Sequence, residues 1–206
     1  MKEKDIHSEL ASIRSLMERS SKFLSLSGLS GVLAGIYALI GAFIGHKILN
    51  EKYGGLVISD SYTDNSTIYH QLILIAGLIL LLSVLSCLLL SVRQAKKKGE
   101  NYWNPISRRL MSSMAIPLFS GGLFIIILFL RQEYDLIAAA CLIFYGLSLI
   151  SASQYTFSDV KWLGICQVIL GLLAALIPES GLLFWVIGFG LLHIIYGTVM
   201  HFKYNR

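Results

Sequence analysis

Six long stretches of this chain contain no Asp, Glu, Lys or Arg: Phe23–Gly45, Gln71–Val92, Leu110–Leu130, Leu136–Ser158, Trp162–Pro178 and Ser180–Phe202. A helix rises 1.5 Å per residue, so about 20 apolar residues cross a hydrocarbon core about 30 Å thick. The stretches are apolar all round and lack the two-residue alternation of a membrane β-barrel strand. They predict an all-α, polytopic six-helix transmembrane bundle, with spans near 23–45, 71–92, 110–130, 136–158, 162–178 and 180–202. The 206 residues read as one membrane domain over 23–206, preceded by a charged segment over 1–22, with no soluble catalytic domain. The first apolar run is longer than the core of a cleavable signal peptide and is expected to stay as an anchor.

Charge sets the expected orientation. An even number of spans places both chain ends on one side. That side, with the segment Arg93–Arg109 and the turn at Asp159–Lys161, holds 14 of the 17 Lys and Arg; only Lys47, Lys52 and Arg131 lie opposite. The 12 acidic residues split evenly. Excess Lys and Arg mark the cytoplasmic side, so both termini are expected in the cytoplasm, in a bacterial inner membrane. The net charge of +5 is therefore assigned to a lipid surface rather than to nucleic acid. The basic loop around Lys96, Lys97 and Lys98 suits anionic headgroups.

Residues 3–22 read as an amphipathic helix. Ile6, Leu10, Ile13 and Met17 share one face, and charged residues cover much of the rest. The face suits the cytoplasmic interface better than a coiled coil, being only two heptads long.

The first span carries a seam of small residues: Ser27, Gly31, Ala34, Ala38, Gly41 and Gly45 at alternating spacings of four and three, widened by Gly28, Gly35 and Ala42. Two GxxxG matches lie within it. Small residues let helices approach closely in lipid. The seam serves either internal packing or a homo-oligomer contact, and internal packing is the favoured reading.

One long external loop runs between His46 and His70, and the other external turns are short. Pro117 inside the third span is expected to kink it. Tyr102, Trp103, Trp162, Tyr134 and Trp185 lie near span ends, where aromatic belts form. Cys87, Cys141 and Cys166 all fall within spans and read as small core residues rather than disulfide partners.

The chain divides into three hairpins, each with Gly-Leu in its second helix: Gly77-Leu78, Gly146-Leu147 and Gly190-Leu191. Three parallel hairpin repeats would follow. In the last hairpin Gly164, Gly171, Ala174 and Pro178, followed by Trp185-Val186-Ile187-Gly188-Phe189-Gly190 and Ile195-Tyr196-Gly197, resemble the small bacterial acid-resistance membrane proteins of the HdeD type. That resemblance covers about 45 residues and implies a stress-linked membrane protein without defined chemistry. The segment from Ile13 to Ser20, with Leu26–Gly31 and Ala34–Gly41, is similar to a group of uncharacterised bacterial six-helix membrane proteins, some of which carry the label β-carotene monooxygenase. Carotenoid cleavage of the soluble iron-dependent type uses four histidines on a propeller, so this resemblance implies topology rather than activity.

The residues match no catalytic or metal motif, and no cofactor is expected. The spans hold no acid for a carboxylate-based ion pump. Only His193 among the five histidines lies deep in a span. Gly190, His193, Gly197 and His201 follow one helical face, so His193 should point into the bundle. Measured from the cytoplasmic ends at helical rise, His193 lies roughly 13 Å up, Tyr145 and Tyr37 roughly 20 Å, and Gln167 and Tyr196 roughly 8 Å. These five form a candidate polar ladder. Its favoured reading is packing through local hydrogen bonds, and its alternative is a small-molecule or proton site. The sequence thus predicts a structural, stress-linked or regulatory membrane component without evident catalysis, or else a small transporter or ligand-binding protein using the His193 region.

Overall fold

The computed structural model describes residues 27–53, 65–99 and 101–204; the side chains of 51–53 and 65–67 are outside the description. The charged segment 1–22 and most of the long loop between the first two spans lie outside these residues.

The chain is all-helical, with no strand among the described residues. Helix α1 spans Gly28–Tyr53, α2 Asn65–Lys97, α3 Pro105–Leu130, α4 Ile137–Ala152 and α5 Asp159–Leu176. The last helix, α6, is composite: a short α segment Gly181–Trp185, a π segment Val186–Leu192 and an α segment His193–Tyr204. All six are long and apolar enough to cross a membrane. The molecule is a multi-pass membrane protein.

Local chemistry explains the boundaries. Asn104 and Pro105 start α3: the Asn104 Oδ1 accepts from the backbone N–H groups of Ile106 and Ser107 at 3.0 and 2.8 Å. The Asn104 N–H in turn donates to the Ser107 Oγ at 3.0 Å, closing a reciprocal cap. Pro105 occupies the first turn, where its missing N–H costs nothing. At the other end Gln132 takes the left-handed conformation with φ 61°, and the Glu133 N–H returns to the Leu128 carbonyl at 2.9 Å. The helix is continuous through Pro117. Helix α4 stops at Ala152, short of the end of its charge-free stretch at Ser158. There Ser153 turns its hydroxyl back to the Ile150 carbonyl at 2.6 Å. Short polar side chains of this kind compete with the helical ladder.

Among the described residues the helices pack in an open order rather than a closed ring. Helix α3 packs on α4, α4 on α5, the start of α6 on both α4 and α5, the rest of α6 on α1, and α1 on α2. Among the described residues helix α2 packs closely only against α1, and α3 only against α4 and the short turn that follows α3. The three hairpins are therefore not equivalent units. The densest contact, α4 with α5, joins two of them.

Glycines set the closest crossings. A Cβ on Gly28 would lie 2.6 Å from the Gly197 carbonyl oxygen, and one on Gly197 2.6 Å from the Gly28 carbonyl oxygen. Gly146 and Gly164 have the same mutual relation, at 2.7 Å, where α4 crosses α5. Backbone meets backbone at both crossings, and only a residue without a side chain fits.

The seam of α1 serves two neighbours. Gly28, Gly31 and Gly35 face Gly197, His193, Gly190 and Ile194 of α6, whereas Gly41 and Gly45 face Ile79 and Leu72 of α2. Ala38 is buried on the same line, Ser27 is buried at its start and Ala34 is half-buried.

Candidate functional site: a buried cluster around His193

The π segment of α6 creates this site. In a π turn the backbone bonds run from i to i+5, and such turns concentrate at functional sites. Gly188 and Gly190 both lie within it, two weak helix formers that loosen the α register.

The Gly188 carbonyl is the centre of the cluster. It accepts from the Gln167 Nε2 at 2.8 Å and from the His193 Nδ1 at 2.9 Å. A carbonyl oxygen only accepts, so Nδ1 carries the imidazole proton. The Nε2 is then the acceptor, and the Tyr145 hydroxyl donates to it at 2.8 Å. The Gln167 Nε2 and the His193 Nδ1 lie 3.4 Å apart. Both are donors, so this approach is two N–H groups converging on one carbonyl and not a bond between them. In this network a neutral His193 is held in a single tautomer.

Apolar packing holds the ring in place. Tyr145, Phe189 and His193 pack with ring centroids 5.3 to 5.9 Å apart, and Trp185 lies against Phe189. Gln167 is fully buried and His193 nearly so. A Cβ on Gly188 would stand 2.6 Å from the Gln167 Oε1, so the amide needs glycine there.

Three of the five ladder residues, His193, Tyr145 and Gln167, thus meet directly. Tyr196 does not bond to them, but it packs with Tyr145 against the same buried apolar cluster. Tyr37 lies elsewhere: its hydroxyl meets the Ser86 Oγ of α2 at 3.2 Å and ties α1 to α2. Two buried side-chain atoms of the ladder, the Gln167 Oε1 and the Tyr196 Oη, have no hydrogen-bond partner among the described residues.

At the end of the bundle where Gly28 meets His201, Asp159 accepts from the Lys203 Nζ at 2.9 Å and from the Tyr204 hydroxyl at 2.8 Å, joining α5 to α6. Phe157 packs on the Tyr204 ring with centroids 4.1 Å apart. In the connection between α2 and α3, burial and then the neighbouring Cys87 thiol push the Tyr102 phenol above its ordinary value. The three cysteines are free. His46 meets the Asn50 side chain, and His70 packs edge-on to Phe129. Among the described residues no cluster of metal-ligating side chains forms.

The Gly188 carbonyl and the Ser86 partner of Tyr37 were outside the sequence reading. The Gly188-Phe189-Gly190 run was the available signal for the first. Comparison with protein-family models, with curated proteins and with solved structures gives no match to this chain.

Proposed function

We propose that this membrane protein is a structural or regulatory component of the bacterial inner membrane, with both chain ends in the cytoplasm, akin to the uncharacterised six-helix proteins it resembles. It acts through packing and partners rather than through catalysis. One observation carries the reading. His193, the deepest histidine, has both ring nitrogens committed within the chain, one to Gly188 and one to Tyr145. A metal ligand needs a nitrogen lone pair free, and here the Nε2 lone pair meets the Tyr145 hydroxyl. The cluster is built as a lock on the π segment.

Its surface supports the same view. Lys96 and Lys97 close α2, Lys98 follows, and Arg108 and Arg109 open α3, a cationic group suited to anionic headgroups. Exposed leucines along α2 offer a face to lipid or to a second copy.

A small transporter or ligand-binding protein is the second reading, favoured by the unpartnered Gln167 Oε1 and Tyr196 Oη. Native mass spectrometry of the gently extracted protein, beside His193→Ala, separates the two. The lock reading expects ordinary lipid on both proteins and a less stable variant. A stoichiometric small molecule on the parent, lost from His193→Ala, would overturn it in favour of the second.

A further inference from the structure

The helices differ in how much hydrocarbon they can cross. Helix α4 has 16 residues, or about 24 Å at helical rise. Helix α5 has 18, or about 27 Å. The charge-free run of α2 alone, Gln71–Val92, reaches about 33 Å. Tilt shortens the reach of a helix across the membrane and never lengthens it. The lengths of α4 and α5 are therefore upper bounds, and both fall short of an ordinary core of about 30 Å.

Backbone pins both ends of this short pair. Irregular backbone does not face lipid within the hydrocarbon, because its N–H and C=O groups would lack partners there. Residues 153–158 leave the helix between α4 and α5, with Gln154 and Ser158 exposed. At the opposite end lie the short 3₁₀ turns Tyr134–Leu136 and Pro178–Ser180, carrying Asp135 and Glu179. A Cβ on Gly181 would stand 3.3 Å from the Ala138 Cβ, so these two turns share a depth. A long side chain such as Lys161 can snorkel to reach the headgroups. The backbone of a turn cannot.

The short edge faces outward. Trp162, Cys166, Ile169, Leu173 and Leu176 follow one face of α5 at alternating spacings of four and three, and all are exposed. The opposite face of α5 packs on α4 through Gly164 and Gly171. Leu74, Leu78, Leu81, Leu85 and Leu88 form the corresponding exposed stripe on α2. In the packing order α1 and α6 stand between α2 and α5, so the two stripes meet different lipid.

We infer that the exposed edge formed by α4 and α5 is a contact surface for a locally thinned bilayer, with hydrocarbon of about 25 Å, whereas the α2 edge takes lipid of ordinary thickness. Lipids with short acyl chains meet the α5 stripe at least cost, and longer chains must compress beside it. A helix with length to spare meets a thin layer by tilting, but a short helix bounded by turns has no such freedom. The protein thus steps the thickness of the membrane from one of its sides to the other. The inference goes beyond the structural reading above and makes no use of the His193 lock, so each fails without the other.

The test uses the full chain with Trp103→Phe, Trp162→Phe and Trp185→Phe, carrying either Ile169→Trp on α5 or Leu81→Trp on α2. Both new positions are exposed and lie near the middle of their spans. Each protein is placed in vesicles of dioleoyl phosphatidylcholine brominated at its double bonds. These are diluted with unbrominated dimyristoleoyl, dioleoyl or dierucoyl phosphatidylcholine, and the relief of tryptophan quenching reads which lipid displaces the quencher. At Ile169 the short dimyristoleoyl lipid is expected to displace it roughly twofold better than dioleoyl lipid, with dierucoyl lipid the weakest. At Leu81 dioleoyl lipid is expected to be the best competitor. The same order at both positions, or no dependence on chain length at Ile169, overturns the inference. Fluorescence at Ile169 that brominated lipid does not quench overturns it too, because a second copy or another protein then covers the stripe. Leu172→Trp and Leu85→Trp, exposed on the same two helices, repeat the measurement should either first variant fold poorly.

Discussion

At the scale of single residues the molecule spends its buried polar groups on one another. Gln167 and His193 aim their donors at the same carbonyl, and Tyr145 fixes the far nitrogen of the imidazole. Removing the Tyr145 hydroxyl leaves the His193 Nε2 buried and unpaired, whereas the His193 bond to Gly188 survives removal of Gln167. We expect Gln167→Leu to destabilise the bundle by about 1 kcal/mol, as judged from buried polar contacts in membrane helices. Tyr145→Phe should cost at least as much, because it leaves the buried His193 Nε2 without its donor. Unfolding in mixed micelles by steric trapping would measure both. Equal stability of Gln167→Leu and the parent would remove the amide from the lock. Tyr102 supplies a pH dependence. Its phenol is raised by burial, so the folded protein holds this proton more tightly than the unfolded chain does. The stability it contributes is complete below the ordinary tyrosine value near 10 and is lost as pH rises through the folded value. Tyr102→Phe should flatten the alkaline limb of the stability profile and leave the neutral region unchanged.

At the scale of helices, the crossings decide which small residues matter. Gly28 and Gly197 meet backbone, which cannot give way, whereas the closest neighbour of Gly45 is the far end of the Leu72 side chain at 3.1 Å. Gly28→Ala or Gly197→Ala is expected to destabilise by about 1–3 kcal/mol, the usual range for overpacking, and Gly45→Ala by far less. Thermal unfolding in detergent ranks the three, and a uniform ranking would sink the distinction. The seam was legible because small residues at a mean spacing near one helical turn form a line in any helix. That two different helices share the line was not legible, since spacing carries no information about neighbours. The π segment was equally hidden: the apolar pattern of Val186–Leu192 is the same in either register, and only Gly188 and Gly190 hinted that the ladder was loose. A π turn amounts to one residue inserted into an α-helix. Deleting Leu191 should therefore restore an unbroken helix with both halves in phase, while the Gly188 carbonyl loses its two side-chain donors. Backbone hydrogen exchange across 186–193 reads this, with stronger protection expected in the deletion variant.

At the scale of the whole molecule, the spans and their number were written in charge-free length, and the helices follow them closely. Helix α4 is the instructive departure, because the charge-free run to Ser158 says nothing of the short polar residues that turn the chain after Ala152. The open order of packing was also beyond the sequence. Neighbours in the chain are often neighbours in space, yet α2 and α3 are joined by a short connection and hardly touch along their length. Orientation is open to a direct check. A cysteine placed at Lys97 in an otherwise cysteine-free chain should react with an impermeant maleimide only when the cytoplasmic face is exposed, and one placed at Arg131 only from outside. The contact between α1 and α6 has a consequence in time. Gly28 and Gly197 are 169 residues apart in the chain. At ordinary rates of translation that separation is roughly 10–30 s of synthesis. Through that interval the first span is in the bilayer with its glycine face bare, waiting for the sixth. The newborn protein is therefore exposed to membrane quality control from its first helix onward, and a slow codon in the α6 region should lower yield more than one in α2.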